Sequence, residues 1–345
     1  MRFYPLVRAL LFRFEPELVH KLTLTLIGIG GRIPPIAFFL KSLFSVASQP
    51  VTCFGVTFPN CVGLAAGYDK DGTGWQGLAC LGFGHIEIGT VTLKPQSGNP
   101  KPRLFRLPEA QALINRMGFP GRGAAFVARR LRHRPSTEVI LGVNLGKNKD
   151  TPLERAVEDY LALFDIFAPL ADYLAVNVSS PNTVGLRQLQ ARQALDELLG
   201  TLNLRRIEAQ SVLGRRIPIL VKVAPDLSDA ELDDVLEVIQ NQGIEGVIAT
   251  NTTIQRQGLR PDVLKLYPLA AESGGLSGLP LFPLSLSMVK KIRQRWGEDL
   301  TVIGVGGIMG AEQAKAMLEA GANLLQVYTG LVYRGPGLVK ELLKM

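Results

Sequence analysis

The chain has 345 residues, with hydrophobic residues at 47% and charged residues at 20%, which is enough apolar content for a large core and too little charge for a disordered chain. The formal net charge of +8 points to nucleic acid, anionic lipid or an anionic ligand as partner classes. Cys53, Cys61 and Cys80 show neither metal-like spacing nor the even count of a disulfide framework, so they read as reduced core residues.

The N-terminal segment differs in character from the rest. Arg2, Arg8, Arg13, Lys21, Arg32 and Lys41 are set against only Glu15 and Glu17, so half of the net charge lies within residues 1–48. Phe3, Leu6, Val7, Leu10, Leu11 and Phe14 recur at helical spacing, with Arg2, Arg8 and Arg13 off that stripe. Pro16 opens a second predicted helix through Leu18, Val19, Leu22 and Leu26 to Gly28, Gly30 and Gly31, and a third apolar run, Ile36–Phe44, follows Pro34-Pro35. Such stripes suit helices lying in the plane of a bilayer. A helical cap packed on the main domain has the same pattern, and periodicity does not choose between them. No signal peptide is expected, because Glu15 and Glu17 follow the short run Ala9–Phe12 and no small-residue cleavage site follows. The charge-free stretches Leu22–Gly31 and Ile33–Leu40 fall short of the roughly 20 apolar residues of a membrane span.

From residue 50 the rhythm changes. Short apolar or β-branched runs recur at Val62–Ala65, His85–Gly89, Val139–Leu145, Tyr173–Val178, Ile217–Val223, Gly246–Thr250, Val302–Val305 and Leu324–Tyr328. Between them lie helical candidates at Leu153–Leu170, Leu189–Leu213, Asp229–Gln242 and Ala311–Ala320. Alternating strands and helices predict a parallel sheet, and eight such units predict an α/β fold of the (β/α)8 TIM-barrel class with a small N-terminal helical domain. Residues 1–45 are assigned to that helical domain and residues 46–345 to the barrel. Insertions at 91–119 and 252–282 follow the second and sixth strands, where barrels place lids over their sites.

The predicted strand ends carry Ala66-Gly67-Tyr68-Asp69-Lys70, Thr90, Asn144, Asn177, Lys222, Thr250-Asn251-Thr252, Gly306-Gly307 and Tyr328-Thr329-Gly330, with Asn115 on the first insertion. Neutral amides offer paired donors and acceptors, which suits a planar heterocycle with alternating N–H and C=O groups. Lysines suit anionic groups, and no metal-like cluster is present in the pattern. Glycines leaving strand seven, with the partner segment leaving strand eight, fit the phosphate site that barrels often build there. Gly274-Gly275-Leu276-Ser277-Gly278 supplies a further glycine-rich loop. A flavin mononucleotide, FMN, would use all of these, with Lys222 stabilising negative charge on the reduced ring.

Six segments carry a resemblance: Leu64–Gly72 (LAAGYDKDG), Ile86–Thr92 (IEIGTVT), Asn115–Phe119 (NRMGF), Asn177–Thr183 (NVSSPNT), Gly246–Thr252 (GVIATNT) and Gly304–Ile308 (GVGGI). In this order they resemble the quinone-dependent (class 2) dihydroorotate dehydrogenases, and the likeness runs along the whole chain. The resemblance implies a tightly bound FMN touched by Ala66, Gly67, Tyr68, Asp69, Lys70, Thr90, Asn144, Asn177, Lys222, Thr250, Gly278, Gly307, Tyr328 and Thr329. It implies substrate contacts at Lys70, Asn115, Arg116, Met117, Gly118, Phe119, Asn177, Asn182, Asn251 and Thr252, and a catalytic base at Ser180. The cytosolic class is expected to carry cysteine there, so Ser180 favours the quinone class.

The resemblance also makes the N-terminal helices a membrane-docked cap over a quinone tunnel, with His20 and Arg106 at polar positions of that tunnel. Tyr68 departs from the smaller aliphatic residue expected at its position. The implied reaction oxidises (S)-dihydroorotate to orotate in de novo pyrimidine (UMP) biosynthesis. Ser180 takes the C5 proton while hydride leaves C6 for the flavin, with Thr183 and an ordered water as the expected proton relay. The expected partners are dihydroorotate, orotate and a membrane quinone, with no nucleic acid. The expected setting is a monomer held peripherally on the cytoplasmic side of a bacterial cell membrane. A flavin barrel acting on tRNA uracil, such as a dihydrouridine synthase, is the rival enzyme reading. It calls for a catalytic cysteine and a basic surface away from the barrel mouth, against which stand Ser180 and the N-terminal clustering of charge. A peripheral membrane protein whose barrel only binds a phosphorylated ligand is the non-enzymatic alternative.

Overall fold

Eight parallel strands close into a barrel in chain order: β1 (Val62–Leu64), β2 (His85–Val91), β3 (Ile140–Leu145), β4 (Tyr173–Asn177), β5 (Ile219–Val223), β6 (Gly246–Ala249), β7 (Thr301–Val305) and β8 (Leu324–Val327). Closure comes where β8 returns to β1, with Leu325 opposite Val62 and Val327 opposite Leu64. The computed structural model describes residues 3–134 and 139–344, so Arg2, placed off the first apolar stripe, lies outside them. Every predicted strand is present, with shifted ends. β5 starts at Ile219 because Pro218 has no N–H to donate to a ladder. The predicted helix Leu189–Leu213 splits into a 3-10 turn, Leu186–Gln190, and a helix, Arg192–Leu213, because Ala191 is extended at φ −63° and ψ 138°.

The barrel floor is sealed by a hairpin, Val51–Cys53 with Val56–Phe58. Its Phe58 ring stands edge-on to His85 at 5.3 Å, and Phe54 leans on Tyr173 at 5.9 Å. Above them, buried Ala175, Leu220, Ile248, Ile303 and Leu324 fill the interior. The mouth is therefore the open end.

Over the mouth lies an antiparallel sheet that the sequence pattern does not predict. Strands Leu104–Leu107 and Ala112–Asn115 come from the first insertion, and Gly275–Gly278 from the second, with 112–115 in the centre. The two expected lids are thus one.

The helical cap comprises α1 (Tyr4–Leu11), α2 (Pro16–Gly30) and α3 (Pro34–Phe44). Glu15 caps α2 by accepting from the backbone of Glu17 and Leu18 at 3.0 and 2.6 Å. Packing of α2 on the helix Trp75–Ala79 is close enough that a Cβ at Gly28 would strike the Thr73 carbonyl and one at Gly31 the Gly77 backbone. Arg103 of the lid donates to both oxygens of Glu17, and Tyr4 Oη donates to the Val332 carbonyl at 2.7 Å. The opposite surface of the cap is bare. Fourteen of the 23 large apolar side chains exposed among the described residues fall between Phe3 and Leu43, Phe38 at 75% and Phe39 at 63% included.

Candidate functional site

The carboxyl ends of the strands open into a cavity that, with its open mouth, encloses about 960 Å³. Strand β1 leads into Ala66, Gly67 and Lys70; β2 supplies Thr90, β4 Asn177, β5 Lys222, and β6 leads into Thr250. Gly306 and Gly307 leave β7, and Tyr328 and Thr329 leave β8. From above, the lid adds Asn115, Met117, Gly118, Phe119 and Gly278, while the loops after β4 and β6 add Ser180, Asn182, Asn251 and Thr252. These are expected site residues brought together from distant parts of the chain.

Beneath the cavity a hydrogen-bond network fixes which way the amides face. Glu87 is fully buried and accepts from Asn144 Nδ2 at 2.8 Å, Gln326 Nε2 at 2.8 Å and Tyr173 Oη at 3.2 Å. Three donors converge here, and a carboxylate is the acceptor they need. Asn144 is thereby turned so that its Oδ1 faces the mouth, where it accepts from Thr90 Oγ1 at 2.5 Å and Asn177 Nδ2 at 3.2 Å. Asn177 Oδ1 in turn accepts from Ser179 Oγ at 3.1 Å, and Asn251 Nδ2 donates to Ser179 Oγ at 2.9 Å. Glu87, Tyr173, Gln326 and Ser179 did not figure among the candidates. The signal available was a lone carboxylate and a lone amide within the apolar strands β2 and β8.

Four expected residues stand back from the cavity lining. Asn144 is the buried support just described. Asp69 accepts from the Thr73 and Gly74 backbone at 2.8 and 2.7 Å, shaping the loop, while burial raises its pKa. Arg116 turns outward to an ion pair with Glu272 and stacks over Phe105 at 4.8 Å. The Tyr68 ring leaves the mouth for a second cavity, described below.

Two lysines carry the positive charge of the site. Burial pushes the Lys222 ammonium down from its usual pKa, opposed by Glu87. Lys70 donates to the Gly67 carbonyl at 2.6 Å, and burial brings its pKa to about 8, opposed by Glu17. Ser180 is 5% exposed, and its Oγ accepts from the Asn182 N–H at 3.3 Å. Thr183 Oγ1 is buried without a hydrogen-bond partner among the described residues.

The glycines on the far side of the mouth are required by close packing of backbone. Gly307 has φ +71°, and a Cβ there would sit 2.6 Å from the Phe282 nitrogen; Gly278 has φ +97°. Only glycine brings backbone this close. Thr329 Oγ1 lies 2.9 Å from Ser277 Oγ, tying the β8 end to the lid.

The second cavity, about 1750 Å³, lies between the cap and the barrel. Val7, Leu11, Leu24 and Ile27 line it with His20 and Arg106. Tyr328 lines both cavities. Tyr68 stands edge-on to Tyr328 at 5.4 Å and to His20 at 4.8 Å, so these rings form the partition. Burial, helped by the nearby Lys70 charge, lowers the His20 pKa to about 4. Arg106 donates to the Phe14 carbonyl at 2.8 Å and lies over the Phe12 ring at 4.5 Å.

Comparison with known proteins gives the family. The family model described as dihydroorotate dehydrogenase matches residues 48–345. The dihydroorotate dehydrogenase (quinone) of Thiobacillus denitrificans is 49% identical over 338 residues, covering 98% of this chain and 97% of the relative. The protein of the same name from Stenotrophomonas maltophilia is 47% identical, covering 98% and 94%. Among solved structures, DHODH from Eimeria tenella in complex with ferulenol is similar at a TM-score of 0.81 and 35% identity, covering 95% of this chain and 89% of that one.

Proposed function

The chain belongs to the dihydroorotate dehydrogenase family, and from that premise we propose that it oxidises (S)-dihydroorotate to orotate and passes the electron pair to a membrane quinone, in pyrimidine biosynthesis. The observation that carries this reading is the pair of cavities that meet at Tyr328, one furnished with converging amides, hydroxyls and two lysines, the other lined mainly by aliphatic and aromatic side chains. A reaction with a polar pyrimidine donor and a lipophilic acceptor needs two such sites side by side.

The Gly306-Gly307 turn, Gly278 and Thr329 would hold the phosphate of FMN, and Ala66, Gly67, Thr90, Asn177, Lys222 and Thr250 would hold its ring. Bound there, FMN supplies the acceptor for the hydride leaving C6 and the carrier that hands its electrons to the quinone. The chain's own groups do the rest. Asn115, Asn177, Asn182 and Asn251 hold the pyrimidine plane through paired donors and acceptors. Lys70 faces the substrate's carboxylate, and the lid strands Ala112–Asn115 and Gly275–Gly278 exclude water. Ser180 removes the C5 proton, and Thr183 with an ordered water passes it on. Lys222 holds positive charge under the region where negative charge develops.

The exposed apolar side chains of α1, α2 and α3 support peripheral docking on the cytoplasmic face of a bacterial membrane. No single helix among the described residues is long and apolar enough to span one, and α2 and α3 meet at 106°. The division at residues 45 and 46 follows the end of α3. Assay of the purified protein with dihydroorotate and a long-chain quinone, against NAD and fumarate, tests the reading. Yellow protein and turnover with the quinone alone are expected; turnover only with NAD or fumarate, or a colourless protein inactive after FMN is added, would overturn it.

A further inference from the structure

Exposed arginines on most of the barrel are paired. Arg155, Arg192, Arg205, Arg216, Arg260 and Arg334 each hold a carboxylate, and Arg215 donates to the carbonyls of Ala168 and Ala171. The outer helix after β2, Ala124–Leu131, is different. Arg122, Arg129 and Arg132 on and beside it are exposed, and none of their guanidinium groups has a carboxylate partner among the described residues, although the Arg122 backbone N–H donates to Asp71 at 2.9 Å. No acidic residue occurs between Gly121 and Arg134. The guanidinium carbon of Arg122 lies 3.6 Å from the centre of the Phe126 ring, and that of Arg129 is 5.6 Å from the same ring. The Phe126 ring therefore holds the Arg122 and Arg129 charges near one another.

The position of this helix says what the charge meets. Arg130, on the helix, and Arg32, just after α2, donate to the same Thr73 carbonyl at 3.5 and 3.2 Å. The helix thus abuts the cap at Arg32, which is flanked in the chain by the exposed apolar side chains of Ile29 and Ile33. A bilayer receiving those apolar side chains would bring its headgroup layer to the neighbouring arginines. We propose that Arg122, Arg129 and Arg132 form a headgroup-binding face for anionic phospholipid, so that the barrel itself takes part in docking and selects negatively charged membrane. The proposal rests on the membrane reading given above. Guanidinium groups suit phosphate through planar, paired donors.

Co-sedimentation of the full-length protein with vesicles tests it. Two compositions are compared, phosphatidylcholine alone and phosphatidylcholine with phosphatidylglycerol. The wild type is expected to prefer the anionic vesicles. The triple variant Arg122→Gln, Arg129→Gln, Arg132→Gln should lose roughly a hundredfold in anionic-vesicle partitioning at low salt, at about a factor of five per arginine. It should keep its binding to neutral vesicles and its dihydroorotate oxidation with a soluble dye, because these arginines touch neither cavity. An undiminished preference in the variant overturns the proposal, as does equal binding of the wild type to both compositions, which leaves membrane docking standing. Release from the vesicles by millimolar inorganic phosphate would show a free-anion site instead. Tighter binding to duplex nucleic acid than to anionic vesicles would give the face to that partner, and either result overturns the lipid assignment. A wild type that binds no vesicle at all removes the membrane reading itself.

Discussion

The barrel mouth is lined by amides, hydroxyls and two lysines, whereas the cleft on the other side of Tyr328 is mostly aliphatic and aromatic. The first holds its polar groups in one orientation through buried bonds that run down to Glu87. The second has few fixed donors, chiefly Arg106 and the neutral imidazole of His20. The difference teaches how selectivity is divided. A site with fixed donors and acceptors rejects a ligand that leaves them unpaired, while an apolar slot separates ligands weakly, by size and shape.

Predictions that break or sharpen this contrast differ in size. Ser180→Ala should reduce the rate of flavin bleaching by dihydroorotate by about a thousandfold, the usual range for a general base. The variant should still bind orotate, and stopped-flow rates near the wild type would move the base elsewhere. Lys222→Ala should slow the same step roughly a hundredfold or release the flavin, since a buried positive charge is lost. Unchanged FMN content with unchanged kinetics would remove Lys222 from the mechanism.

Proton linkage separates the two cavities in a different way. Lys70 loses its charge as pH rises through about 8, so orotate binding to the resting protein should weaken about tenfold between pH 7 and pH 9. His20, lowered to about 4, stays neutral over that span, so the quinone KM should stay flat there. Titrations at both pH values check this, and parallel drift of both ligands would contradict the assignment of charge. The smallest effect expected is for Arg106→Leu, which should raise the quinone KM about fivefold through loss of a charged donor. Flavin bleaching by dihydroorotate serves as the comparison, and a loss there as large as that with quinone would merge the two sites.

Much of the mouth was legible in the sequence because barrel topology brings strand ends together, so Thr90, Asn177, Lys222 and Thr250 follow from strand positions alone. Asp69, Asn144 and Arg116 stand behind the lining because a residue at a strand end alternates between faces, and one dimension does not show which face wins. Glu87 was hidden inside a recognisable apolar strand, its purpose visible only once Tyr173 and Gln326 arrive from other strands. The cap helices were legible as helices from their periodicity. What they cover was not, since an apolar stripe looks alike whether it packs on the barrel or faces outward. The arginine face on Ala124–Leu131 is not legible in the sequence, because Arg122 and Arg129 are gathered only by the Phe126 ring between them.

The lid sheet has a consequence for how the chain comes together. Its central strand, Ala112–Asn115, has one neighbour close by in sequence, Leu104–Leu107, and one that is far away. Asn115 and the Gly275 opposite it are separated by 160 residues. On a ribosome adding about 5–20 residues per second, the far strand emerges roughly 10–30 seconds after the central one. During that interval one edge of 112–115 stays open, next to the apolar faces of Leu107, Ile114 and Phe105. The barrel mouth is therefore roofed late in synthesis, and until then the unpaired strand edge is open to mispairing.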